Sequence, residues 1–274
     1  MMPRLSFPVI ILLGWCLLAV TATIFPLQPD RILLQKILVS PEWQSWLGYD
    51  DLGRSIADRL ILGARTSLVV AFCVVTITFI VGTFIGVFAG WFGGWWDTIT
   101  VLILDIFIAF PGILLAIAMA GLLGPGLMNA VIALVTVGWT GFARLARAQT
   151  LTIKQREHIT AARALGTGTC RIVFRHVLPL ILAPLIVEGT FAIAGTVIAE
   201  ASLSFLGLGV QPPAASWGSM IREGTRYMLV APHMVLAPGI AIFLVVLSIN
   251  LLGDILRDKM DVRLYDRKAQ QGKN

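Results

Sequence analysis

Residues 144–179 read RLARAQTLTIKQREHITAARALGTGTCRIVFRHVLP, a polar stretch between two long apolar ones. It holds seven Lys or Arg against a single acid, Glu157. The chain of 274 residues is 57% hydrophobic and 13% charged, with mean hydropathy +0.87, whereas an average soluble domain carries about 25% charged residues. Such a composition belongs to a polytopic membrane protein. Within it, a basic island of this length reads as a cytoplasmic contact surface.

A bilayer core about 30 Å thick takes about 20 helical residues to cross. Six apolar runs meet that requirement, at about 8–25, 67–89, 98–123, 127–143, 177–206 and 235–253, so the expected fold is all-α with six transmembrane helices. Placing the N-terminus inside leaves 14 Lys and Arg in cytoplasmic segments and 7 outside, an excess that favours N-in and C-in. The first run, with Thr21-Ala22-Thr23 behind it, also resembles a signal peptide; a single basic residue ahead of it and an apolar run continuing to Phe25 favour a retained span.

The net charge of +6 comes from bases clustered between apolar runs, not interleaved with aromatics on one face, which argues against nucleic acid as a partner. Cys16, Cys73 and Cys170 form no CxxC or Cys/His cluster, and His158, His176 and His233 are scattered, so neither a disulfide framework nor a metal site is expected.

The outer segment 26–66 is too long for a hairpin. Within it, DDLGRSIADRLILGARTSL (residues 50–68) spaces Leu52, Ile56 and Leu60 by four, with Arg54, Asp58, Arg59 and Arg65 between them. This suits a helix lying at the membrane interface, either as a cap on the bundle or as a docking surface for an external partner. The chain therefore divides into 1–66, a first span with its external segment, and 67–274, a five-span core.

Gly82, Gly86 and Gly90 fall on one helical face, where small residues let helices approach closely in lipid. Asp105 lies inside the third span, and Pro111-Gly112 interrupts that span. An intramembrane charge is costly and is a functional candidate; the alternative for Asp105 is a pairing with a base near the interface. Glu188 and Glu200 lie about 18 Å apart along the fifth span at 1.5 Å per residue. They are candidates for the transport pathway or for structural pairing. Asn250 and Asp254 read as helix-end contacts. Residues 207–234, rich in Gly and Pro and carrying Trp217 and Tyr227, read either as an external gate or as an ordered cap.

The basic stretch reads as a helix continuing from the fourth span, with Arg144, Arg147, Lys154 and Arg156 exposed to the anionic inner surface. Gly166 and Gly168 stop it, because glycine past a helical run accepts positive φ at low cost. Thr169 is placed to cap a second short helix, and Pro179 marks entry to the fifth span. The expected product is a bent pair of helices whose small residues Ala161, Ala162 and Ala164 fit a groove on another protein.

This stretch resembles the EAA loop of ATP-binding-cassette importer permeases, whose pattern is Glu-Ala-Ala-x-x-x-Gly followed, nine residues on, by Ile-x-Leu-Pro. Ala161, Ala162, Gly166, Leu178 and Pro179 match in register, while Thr160 replaces the Glu and His176 the Ile. LGYDDLGRSIADRLILGARTSL (47–68) is similar to the entry motif LGTDxxGRDxxSRxxxGxRxSL of the C-type permease subunits of dipeptide, oligopeptide and nickel importers, with Tyr49 and Ser55 among the positions that depart from it. EASLSFLGLGVQPPAASWGSMI (200–221) and LLGDILRDKMDVRL (251–264) resemble the same subunits.

The resemblance implies a type I importer permease in the bacterial inner membrane, forming half of a pathway with a second permease subunit. Two cytoplasmic ATPases would power it, and an extracytoplasmic substrate-binding protein would deliver di- or oligopeptides, nickel or another small solute. The loop would be the coupling helix, a role carried to Thr160, Ala161, Ala162, Arg163 and Gly166. There is no GxxxxGK[ST] phosphate loop, so the chain is expected to bind no cofactor, with ATP and Mg2+ used by the ATPases. An intramembrane enzyme would want paired reactive groups at matching depth, and a secondary carrier would want inverted repeats; neither is found.

Overall fold

The computed structural model describes residues 3–24, 26–43 and 45–260, without the side chains of residues 3–6, 21 and 23. The last part of the 251–264 motif and the bases beyond it lie outside the described residues. The described chain is helical: α1 (Pro3–Ile24), α2 (Ile56–Phe92), α3 (Gly94–Ile108), α4 (Gly112–Leu123), α5 (Leu127–Lys154), α6 (Glu157–Ala164), α7 (Thr169–Ile172), α8 (Leu178–Phe205), α9 (Trp217–Thr225) and α10 (His233–Met260). A π-helical turn, Val173–Val177, joins α7 to α8. No strand occurs among the described residues, only the bridge pairs Glu42 with Ser45 and Tyr49 with Ser55.

Four helical runs, 56–92, 127–154, 169–205 and 233–260, are long and apolar enough to cross a membrane, and the α3–α4 pair supplies a fifth if it is one broken span. The first expected span contains a shorter apolar helix, Phe7–Val20. The second differs from expectation. The interfacial helix and the span are one helix of 37 residues, about 55 Å long, and it runs through the division drawn at residue 66. Ser55 starts it by accepting the Asp58 N–H at 3.3 Å, a side-chain cap of the usual kind. Leu52, expected on the helical stripe, precedes it. Nothing between Arg65 and Leu68 breaks a helix, and Gly63 serves packing instead: a Cβ there would sit 2.7 Å from Trp217 Cδ1.

α3 and α4 are bent by 85°. Proline disfavours helical backbone in the residue before it and has no N–H to continue the ladder, so α3 ends ahead of Pro111 and α4 restarts at Gly112. Deeper packing is set by the glycine face. Cβ atoms on Gly82 and Gly90 would sit 2.7 Å from Phe142 Cβ and 2.9 Å from the Arg147 carbonyl oxygen, both on α5. On the other side, Trp15 of α1 donates to the Ala64 carbonyl at 3.1 Å, and α10 meets α8 where Gly253 faces Thr190 and Phe191. Large exposed side chains such as Phe72, Phe84 and Phe243 ring the bundle where an apolar solvent would meet it.

Candidate functional site

The basic stretch opens with a sharp corner. α5 ends at Lys154, Arg156 takes extended backbone (ψ 144), and α6 begins at Glu157, so the helix is not continuous into the loop as expected. At the other end of α6 the Gly166 N–H bonds to Arg163 O (2.9 Å) and the Thr167 N–H to Ala162 O (3.0 Å). This pair of bonds is the Schellman ending, which requires left-handed backbone at its glycine, and Gly166 has φ +78. The N-cap of α7 is Gly168, without a side-chain bond, and Thr169 is the first helical residue and not the cap.

α6 is fastened by one apolar side chain, Ile159, fully buried, with Ala162 half-buried. Thr160, Ala161, Arg163, Ala164 and Gly166 are exposed. Thr160 has no side-chain hydrogen-bond partner among the described residues. Beside these small groups stand Leu165, 86% exposed, and Phe174, 69% exposed. Neither was picked out from the sequence, although a leucine directly ahead of a capping glycine on a polar segment was the available signal. The result is a short helix that exposes small residues, with two exposed apolar side chains on the same loop.

The anchorage beneath α6 is ionic and aromatic. The Arg163 guanidinium lies 4.5 Å over the Trp91 ring, and Lys154 donates to the Trp91 carbonyl. Arg147, expected to be exposed, is half-buried and donates through Nε and Nη2 to both Asp97 oxygens at 2.5 and 2.7 Å. Asp105 is exposed and makes no ion pair among the described residues.

The three acidic pathway candidates sit in separate surroundings. Glu188 is half-buried with one carboxylate oxygen against Gly141 of α5. Glu200 is 1% exposed and accepts from Ser67 Oγ of α2 (3.3 Å) and Ser204 Oγ (2.7 Å); Ser204 Oγ in turn accepts from the Val210 N–H. Glu200 thus ties α8 to α2 and to the loop beyond. None of the three lines the cavity of about 270 Å³ between α2, α4, α5 and α8, whose wall includes Thr78, Gly112, Gly138, Gly195 and Thr196.

At the opposite end, Arg54 pairs with Asp50 at 2.6 Å and with Glu223 at 3.0 Å, and Arg59 with Glu223 at 2.9 Å. These contacts join the 47–55 loop and the first turn of α2 to α9. Asp50, Asp51 and Glu223 bring oxygens within 4.8 Å of one another, and the guanidinium groups of Arg54 and Arg59 offset two of the three charges. α9 itself starts with a capping box between Ser216 and Ser219.

Comparison with known proteins bears on both ends. The family described as binding-protein-dependent transport system inner membrane component matches residues 82–264. The glutathione transport system permease protein GsiD of Escherichia coli O1:K1 / APEC is 46% identical over 224 residues, 82% of this chain and 74% of that protein. GsiD of Shigella boydii serotype 4 is likewise 46% identical over 224 residues. A chain of the inward-facing MetNI methionine ABC transporter shares the fold with a TM-score of 0.59 at 23% identity, over 73% of this chain and 95% of that one.

Proposed function

Because the chain belongs to the binding-protein-dependent transport system inner membrane components, we propose that the exposed face of α6 is where ATPase motion enters the membrane. The chain is a multi-pass inner-membrane permease subunit of an ATP-driven importer, a transporter component and not an enzyme. Its family works with a partner permease, ATPases and a substrate-binding protein.

On this reading Ala161, Ala162, Arg163 and Gly166, with Thr160 beside them, form the docking face, and the exposed Leu165 and Phe174 add apolar contacts. The ATPases bind ATP and Mg2+; this chain binds no cofactor. α1 is the first of six spans, the α3–α4 pair the third, and both termini are cytoplasmic, where the basic loop meets anionic lipid. The substrate is a small peptide or peptide-like solute, since the GsiD relatives are named for glutathione transport; the cavity wall, which includes Val74, Ile113, Leu134 and Val137 beside Gly, Ala and Thr, carries no charge.

The observation that carries the reading is the Schellman turn at Gly166, which ends a packed helix whose outer side exposes small residues. Gly166→Asp or Ala162→Glu should abolish uptake and release the ATPases from the purified complex, while membrane insertion persists. Normal transport and normal substrate-stimulated ATP hydrolysis in both reconstituted variants would overturn it.

A further inference from the structure

Trp91 stands at the last turn of α2 and is only 6% exposed, although α6, which covers it, is otherwise an exposed element. Three parts of the chain converge on this one residue. Arg163 of α6 lies 4.5 Å from the ring centroid. Lys154, at the end of α5, has its ammonium 6.0 Å from the same centroid and bonds the Trp91 carbonyl. The indole also belongs to the buried cluster that contains Ile153, Ile159 and Ile172. Arg163 has no carboxylate partner among the described residues, so the indole face is what holds its charge, and indole is the aromatic ring that attracts a cation best.

Just past Trp91 the chain turns a corner free of side chains. Gly93 has φ +68 and Gly94 φ +56, and α3 starts there at once. Asp97 in the first turn of α3 is clamped by Arg147 of α5, so α3 leaves the corner in a fixed direction. It then reaches the 85° elbow, beyond which Gly112, Ile113 and Ala116 of α4 form part of the cavity wall. A displacement of α6 therefore has two ways out. One is through Ile159 into the apolar cluster, and the other is through the Arg163–Trp91 contact into the α2–α3 corner and along α3 to the cavity.

We infer that Trp91 is the positioning residue that transmits movement of α6 to the α2–α3 corner, coupling ATPase closure to the cavity wall. This rests on the reading of α6 as the docking helix. Trp91 itself meets neither an ATPase nor the substrate; its part is to hold the Arg163 guanidinium on a rigid plane, so that α6 and the corner move as one body.

The test uses the complete importer, with its partner permease, both ATPases and its binding protein, in proteoliposomes, and reads substrate imported per ATP hydrolysed. Trp91→Ala and Trp91→Leu should each lower that ratio about tenfold, within the range of ordinary coupling free energies. Trp91→Phe should restore most of it, because it keeps an aromatic face for Arg163, whereas leucine supplies only volume. A wild-type ratio in Trp91→Leu, or equal losses in Trp91→Leu and Trp91→Phe, would overturn the inference; if Trp91→Ala does not assemble, that pair still decides. Leu165→Asp tests the underlying reading separately, by whether the ATPases co-purify. If Leu165→Asp sheds them while Trp91→Leu keeps the wild-type ratio, the transmission role falls and docking stands. If Leu165→Asp retains ATPases and transport, docking at this face fails, and the inference with it.

Discussion

Gly166 and Glu200 show what single residues contribute. A Cβ at Gly166 would meet nothing within 4 Å, so glycine is needed there for its backbone and not for space: φ +78 is strained for a residue with a side chain. The sequence was enough to place that glycine, because a cap residue acts locally. Glu200 was different. Its cost in an apolar span was plain, but its partners Ser67 and Ser204 were not, since Ser67 lies on another helix. Glu200→Ala leaves those buried hydroxyls without their acceptor and should destabilise the fold by about 1–3 kcal/mol. Glu200→Gln keeps an acceptor oxygen and should cost less. Thermal unfolding of the purified variants checks the order, and equal stability of Glu200→Ala and wild type would exclude the tie.

At the scale of elements, the α2–α5 pair is specified by spacing. Glycines four apart make a flat face, and a Cβ on Gly86 would sit 2.9 Å from Ala146 Cβ and from the Arg147 nitrogen. Gly86→Val forces the helices apart and should cost at least about 1–3 kcal/mol, as overpacking does; the readout is loss of monodisperse protein after solubilisation. The face was legible in the sequence because helical periodicity is strict. That it meets α5, and at which carbonyls, was not, because periodicity names a face and never its partner. Element ends were also less legible. α2 absorbs the expected interfacial helix because no breaker separates them, while the corner at Gln155 and Arg156 arises where no Gly or Pro marks it.

For the whole molecule, topology is the property to measure. Cys170 is exposed beyond the α6 turn, and the Trp43 side chain is 91% exposed between α1 and α2. A membrane-impermeant maleimide should label Cys170 only in inside-out vesicles and a Trp43→Cys variant only in intact cells stripped of their outer membrane. The reverse pattern would invert the N-in, C-in arrangement.

The sequence alone determined the solvent this chain folds in, its helical class, its basic loop and the turn at Gly166. These properties arise from composition, periodicity and local backbone preference, which act over a few residues. Only the tertiary structure decided that Arg147 clamps Asp97 across the corner, that Arg54 and Arg59 share Glu223 more than 160 residues away, and that Trp91 lies beneath Arg163. In an apolar solvent the hydrophobic effect does not choose which helix faces meet. Close packing and the satisfaction of a few buried charges make that choice, and both depend on the whole bundle being assembled.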